Sequence, residues 1–267
     1  MTTHEPVTHS PGLAPPSVFE RILIGVDGTK GSLDACRQIA RLAEPSTTVE
    51  AAIVSLFTPA TATALGADDL AERLEHTART ALTAAEAILG PHAELRRLQG
   101  LPVEALLDEL KRMQATLLAI GPPEHDRIAE ILLGGTGGEL LHRSRCSMLL
   151  ARPAPDLRSF PRSIVVGVDG SKPAARAYAV AEQLTTRFHS ELRGVVADGG
   201  KHVELDAIRG LPRVDVVAGA PARVLVESAA TADLLVVGSR GLHGLRALGS
   251  VSERAAHEAS CSVVVVR

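Results

Sequence analysis

The residues of this chain best suited to hold an anion run from Leu234 to Glu253, Leu-Leu-Val-Val-Gly-Ser-Arg-Gly-Leu-His-Gly-Leu-Arg-Ala-Leu-Gly-Ser-Val-Ser-Glu. Leu234 to Val237 form an unbroken apolar run, the composition of a parallel strand covered on both faces. Gly238, Gly241, Gly244 and Gly249 then let the backbone turn and approach a ligand closely. Ser250, with Glu253 three residues on, has the capping-box pattern of a helix start. Bare N–H groups feeding a helix N-terminus suit a phosphate. Arg240 and Arg246 supply cations that could clamp it, ordinary surface charge being the other reading of both. The glycines alone are also consistent with a plain strand-to-helix connection. Two carboxylates complete the polar set: Asp27 after Gly25-Val and Asp169 after Gly167-Val, each placed to hydrogen-bond a turn or a ligand hydroxyl.

Other chemistry lacks its residues. Gly-x-Ser-x-Gly, Gly-x4-Gly-Lys-Ser/Thr, Cys-x-x-Cys and His-Glu-x-x-His are all absent, and the ten histidines lie singly with no metal-ligand spacing. No nucleophile or base is organised, so no enzymatic role is expected. A net charge of −3 gives no footprint for nucleic acid or an anionic membrane, and with four Phe, one Tyr and no Trp there is no base-stacking surface. No apolar run is long enough to span a bilayer. Three unpaired cysteines, Cys36, Cys146 and Cys261, read as buried thiols in a reducing cytoplasm. Residues 1–19, rich in Thr, Pro, Ser and His without a basic or apolar core, read as a disordered tail and not a secretory signal.

The elements that must position these residues come twice. Arg21-Ile-Leu-Ile-Gly-Val-Asp-Gly-Thr-Lys30 returns as Ser163-Ile-Val-Val-Gly-Val-Asp-Gly-Ser-Lys172, Gly100-Leu-Pro as Gly219-Ala-Pro, and Cys146-Ser-Met-Leu-Leu as Cys261-Ser-Val-Val-Val. The chain therefore reads as two copies of one domain, 20–152 and 162–267, joined by a proline-rich linker at 153–161. In the first copy the patterning predicts strands at 21–26, 49–57, 94–99, 116–120 and 146–151. Helices are predicted at 31–43, 68–89 (capped by Asp68), 102–113 and 136–143, with Pro102 and Pro221 each at a first helical position. Such alternation makes an α/β fold: in each copy a five-stranded, mostly parallel sheet with helices on both faces, and ligands at the carboxyl ends of the strands. The offset between copies falls from 142 at Gly25 and Gly167 to 119 at Gly100 and Gly219, so the second copy has lost 23 residues where the first has its long helix. Only Val203 to Arg209 remains there, about two helical turns. The last strands, Met148-Leu-Leu-Ala and Val263-Val-Val-Val, are apolar edges expected to pair as an internal pseudo-dimer.

The paired Gly-Val-Asp-Gly-Ser/Thr starts, Gly238-Ser-Arg-Gly241, and Gly249-Ser250-Val-Ser-Glu before the final Cys-Ser-Val-Val-Val-Val strand resemble the universal stress protein family in its tandem form, over residues 20 to 267. The resemblance implies the adenine nucleotide alpha hydrolase-like fold and, in the family's nucleotide-binding branch, an ATP site, with Mg2+ as the accompanying ion. It uses the Asp after the first strand and a loop Gly-x2-Gly-x9-Gly-Ser/Thr. Carried over, Gly167 and Asp169 would meet the adenosine side. Gly238, Arg240, Gly241, Arg246, Gly249, Ser250, Val251 and Ser252 would surround the phosphates. The first-copy counterparts are Gly25, Asp27, Gly121, Gly134, Gly135 and Thr136, the closing pair being Gly134-Gly135 or, one residue on, Gly135-Thr136. Seven residues separate Gly241 from Gly249 where the pattern has nine. The first copy keeps the length but has Pro122 and Pro123, which offer no N–H, and Glu124 in place of glycine. These features rank the second copy as the better nucleotide site. They make the expected function that of a cytoplasmic stress-response regulator binding an adenine nucleotide, with homodimerisation of whole chains open. The rival reading is an interaction module that keeps the fold without the nucleotide.

Overall fold

A computed structural model describes residues 17–56, 59–64, 66–122, 135–199, 213–239 and 249–267. The first copy runs β1 (Arg21–Gly25), α1 (Lys30–Leu42), β2 (Thr48–Ser55), α2 (Pro59–Ala64), α3 (Asp68–Leu89), β3 (Glu94–Gln99), α4 (Pro102–Arg112), β4 (Leu117–Ile120), α5 (Gly135–Arg143) and β5 (Ser147–Leu150). The second runs β6 (Ser163–Gly167), α6 (Lys172–Phe188), β7 (Glu191–Asp198), β8 (Val214–Ala218), α7 (Pro221–Ser228), β9 (Leu234–Gly238), α8 (Ser250–Glu258) and β10 (Ser262–Val266). Among the described residues the strands form one ten-stranded sheet, ordered β3-β2-β1-β4-β5-β10-β9-β6-β7-β8. Every pairing within a copy is parallel, and β5 meets β10 antiparallel, Leu149 opposite Val264.

Alternation along each strand builds a core on both sides. Ile22 and Ile24 face a cluster that includes Ala35, Ile39, Ala81 and Ala85 of α1 and α3, while Leu23 faces Leu106 and Leu140 of α4 and α5. With so few aromatics, these Ala, Val, Leu and Ile contacts supply most of the hydrophobic stabilisation. All three thiols are free, and burial pushes Cys36 up to about 12 and Cys146 and Cys261 up to about 11. They act as small apolar side chains.

Several local expectations are corrected. α2 carries no signal in the sequence reading. Asp68 is the first helical residue and not the cap; Ala67 caps α3, and Asp68 and Asp69 favour it through the helix dipole. Phe19, at the end of the expected tail, is buried against the first core, and Val18 N–H donates to Glu44. Phe160 in the proline-rich connection is likewise buried, and Asp156 accepts from Arg158 N and Ser159 Oγ at 2.9 and 2.8 Å. The expected short helix at 203–209 lies outside the described residues.

Polar groups lock the junction of the copies. Gln38 Nε2 donates to Arg152 O at 2.6 Å, and Ser262 Oγ donates to Gln38 Oε1 at 2.9 Å, all three residues being buried. Arg152 Nη2 donates to Ala256 O of α8 at 2.7 Å, and Arg267 Nη2 donates to Leu141 O of α5. Each copy thus ends its last strand with an arginine that binds carbonyls near the C-terminal end of the other copy's last helix, where a cation is favoured.

A second buried polar group ties α4 to β2. Glu50 and Glu109 are both buried and share Arg112, with Arg96 Nε 3.6 Å from Glu109 Oε1. Burial, then hydrogen bonding to and the charge of Glu109, raise Glu50 to about 7, above its ordinary value of 4.5. The folded chain therefore binds a proton that the unfolded chain releases between pH 4.5 and 7, and stability rises as pH falls through that window. Thermal melts from pH 8 to 6 are expected to show a rising Tm, and the Glu50→Gln variant a flatter profile. Arg152→Ala, which leaves carbonyls at the end of α8 buried without a donor, is expected to lower stability by about 2 kcal/mol in urea denaturation.

Candidate functional site

The connection leaves β1 toward β2 on one side and returns through β4 on the other, so the carboxyl ends of β1 and β4 face the crevice of a topological switch point. A cleft of about 290 Å³ opens there. Gly25, Val26 and Asp27 come from the end of β1, Gly121 and Pro122 from the end of β4, and Gly135, Thr136 and Gly137 from the first turn of α5. Ala52, Leu106 and Leu140 give it apolar walls. Five of the six first-copy site residues are thereby brought together; Gly134 lies outside the described residues.

The turn after β1 shows why its sequence is Gly-Val-Asp-Gly-Thr. Gly28 has φ +84°, and its counterpart Gly170 φ +80°, a left-handed conformation that side chains disfavour. Asp27 Oδ1 accepts from Thr29 N at 2.9 Å and Thr29 Oγ1 at 2.6 Å, and Asp169 Oδ1 accepts from Ser171 N at 2.9 Å. The turn reading therefore holds for one oxygen of each carboxylate. Asp27 is exposed, and its Oδ2 has no hydrogen bond among the described residues. Thr29 and Ser171 cap α1 and α6, accepting from Ser32 N and Ala174 N, each at 3.3 Å. Thr29 and Ser32, which lines the cleft, escaped the sequence reading, although their i, i+3 spacing before an apolar run is a cap signal.

Gly121 and Gly238 have a packing role beside any ligand role. A Cβ on Gly121 would lie 2.0 Å from Gly31 C, and one on Gly238 2.3 Å from Pro173 O, so the first turns of α1 and α6 press directly on the ends of β4 and β9. Gly135 is different: a Cβ there would meet nothing within 4 Å. The N–H groups of the first turn of α5 have no partner within the helix, and no acidic side chain occupies that turn. α5 begins at Gly135 and α8 at Ser250, an offset of 115 that also relates Ser147 to Ser262 and Arg152 to Arg267. Gly135 thus stands in the place of Ser250 and Thr136 in that of Val251, which favours the Gly134-Gly135 register.

In the second copy, Gly167, Asp169, Gly238, Gly249, Ser250, Val251 and Ser252 occupy the equivalent strand and helix ends, whereas Arg240, Gly241 and Arg246 lie outside the described residues. The wall beside Gly167 is tighter. Leu225 Cδ1 lies 2.9 Å from the position of a Cβ there, against 3.3 Å for the nearest atom at Gly25. The capping box expected at Ser250 is not formed. Gly249 caps α8 without a side chain, Ser252 Oγ donates to Gly249 O at 3.0 Å, and Glu253 lies 3.2 Å from His142 Nε2 of α5. Glu253 joins the copies instead of closing its own helix start. Among the described residues no group of three or more His, Cys, Asp or Glu could hold a metal ion, and no helix is long and apolar enough to cross a membrane.

With this geometry in hand, the sequence profile described as Universal stress protein family matches residues 19–152 and 203–267. The chain belongs to the universal stress protein family. A universal stress protein of Mycobacterium bovis is 31% identical over 188 residues, covering 58% of this chain and 62% of that relative's length. A universal stress protein of Mycobacterium tuberculosis is 27% identical over 290 residues, covering 92% of this chain and 96% of the relative. The crystal structure of a universal stress protein from Archaeoglobus fulgidus shares the fold, with a TM-score of 0.69 at 20% identity over 94% of this chain and 97% of that one.

The close approach at Gly121 and the open space at Gly135 separate two variants. Gly121→Ala forces α1 off the sheet and is expected to lower stability by about 2 kcal/mol or more, whereas Gly135→Ala is expected to fold with unchanged or slightly raised stability, both read from urea midpoints.

Proposed function

We propose that this universal stress protein is a cytoplasmic regulator that binds an adenine nucleotide in the first-copy cleft. The observation that carries the reading is the convergence of the β1 and β4 ends with the first turn of α5 around one cleft at the switch point. The apolar wall of Ala52, Leu106 and Leu140 suits a base, the spare oxygen of Asp27 a ribose hydroxyl, and the first-turn N–H groups of α5 a phosphate. A nucleotide in the cleft would set a charged phosphate at the start of α5. This chain's residues bind and orient it, and among the described residues no side chain is organised to attack it. A cleft of about 290 Å³ suits the nucleoside and its first phosphate, and Pro122 on its rim offers no N–H of its own. ATP with Mg2+ and AMP are both members of the class to be tested.

The second copy retains the family-like residues Gly238, Gly249 and Ser250 and is the second reading for the site. Its support is the sequence pattern, against the tight packing of Leu225 on Gly167.

Calorimetric titration with AMP and with Mg-ATP tests the reading. Gly135→Asp places a carboxylate in open space at the start of α5, where it stabilises the helix yet repels a phosphate. Binding by the wild type that is lost in Gly135→Asp is the expected result. Binding that survives Gly135→Asp and is lost in Ser250→Asp would move the site to the second copy. No heat with any adenine nucleotide at millimolar concentration would leave the interaction-module reading in its place.

A further inference from the structure

The two copies carry different side chains at one equivalent place, beneath the last turn of the helix that follows the third strand. Strand register fixes the equivalence: Leu23 pairs with Glu50 as Val165 pairs with Arg193, and Ala52 with Arg96 as Val195 with Asp215. On the helices, Pro102 and Pro221 both occupy the start, so Glu109 corresponds to Ser228; α7 ends there, and Thr231 lies in the turn after it, where α4 runs on to Arg112. In the first copy this space is filled by the Glu50, Arg112, Glu109 and Arg96 network. In the second copy the strand charges are reversed, Arg193 for Glu50 and Asp215 for Arg96, the hydroxyl of Ser228 replaces the carboxylate of Glu109, and α7 ends before the place of Arg112. A groove of about 480 Å³ lies there, at the amino ends of β6, β7 and β8 and so at the opposite end of the sheet from the nucleotide cleft.

We propose that this groove is a second ligand site, for a small zwitterion of the amino-acid type. Its charged lining is balanced, two cations (Arg193, Arg213) against two carboxylates (Glu191, Asp215). An anion or a cation alone would meet as much repulsion as attraction. Arg193 Nε donates to Asp215 Oδ2 at 2.6 Å, which sets a guanidinium and a carboxylate side by side on the floor. A ligand carboxylate over the arginine and an ammonium over the aspartate would rebuild, with signs exchanged, the network that Glu109 and Arg112 complete in the first copy. The ammonium would also lie near the C-terminal end of α7, where positive charge is favoured. Ser228 and Thr231 provide hydroxyls that can donate to the carboxylate or accept from the ammonium.

The proposal is independent of the nucleotide reading and is tested on the full-length protein by titration with a panel of free L-amino acids. For L-leucine the controls are 4-methylpentanoate and 3-methylbutylamine, each carrying one of its two charges. At least one amino acid is expected to bind, about tenfold or more tightly than either of its single-charge analogues. The Ser228→Arg, Thr231→Glu double variant fills the groove with one cation and one carboxylate in the order opposite to Glu109 and Arg112, matching the exchanged charges of Asp215 and Arg193. It is expected to fold with equal or greater thermal stability and to lose amino-acid binding, while any adenine nucleotide binding is unchanged. Absence of binding by every amino acid in the panel, equal binding of the single-charge analogues, or binding that persists in the filled variant would each overturn it.

Discussion

The antiparallel contact of β5 with β10 is the interaction on which the rest of the structure depends. A parallel sheet of five strands ends in a row of unpaired backbone groups, and both copies end in apolar strands, Ser147–Leu150 and Ser262–Val266, that would otherwise invite association. Pairing Leu149 with Val264 removes both edges and makes one sheet of two. The contact also sets the helices. Because Arg152 and Arg267 lie within two residues of the ends of these strands, joining them carries each guanidinium to the end of the other copy's helix, where it binds Ala256 O or Leu141 O. α5 is held at its C-terminal end by the second copy while its N-terminal turn lines the first copy's cleft. The donors that face the cleft therefore depend on the junction for their position.

The duplication also serves as an internal comparison. Where the copies agree, as in the positive φ of Gly28 and Gly170 or the close approach at Gly121 and Gly238, the fold demands the residue. Where they differ, the fold leaves the residue free for another use. The network of Glu50, Glu109, Arg96 and Arg112 in one copy, and the groove between Arg193, Asp215, Ser228 and Thr231 in the other, are the clearest case. The second copy also carries the loss of 23 residues after its second strand, where the first has α3.

Most of the architecture was legible in the sequence because backbone and burial leave periodic marks. The strand spans fell within two residues of their observed bounds in the first copy, as did α1, α3, α4 and α5, and Pro102 and Pro221 stood at helix starts as expected. α2 left no such mark, being short and made of Pro, Ala and Thr. The capping box at Ser250 failed because a tertiary partner won: Glu253 reaches His142, a contact that exists only once the copies are joined. The site was legible in its residue types, Gly25, Asp27 and Gly121, but not in its causes. Spacing cannot tell a glycine needed for a phosphate from one needed because Gly31 lies 2.0 Å from where a Cβ would be. Nor could it show that Leu225 crowds Gly167 while the space beside Gly135 is open.

Hydrogen exchange of the full-length protein, with and without AMP or Mg-ATP, tests the central claim most directly because it locates the ligand by residue. The account predicts ligand-dependent protection of the α5 first turn, Gly135–Gly137, and of the turn from Gly25 to Ser32, with the β5 and β10 amides slow in both states. Protection confined to Gly249–Ser252, or none at saturating nucleotide, would contradict it.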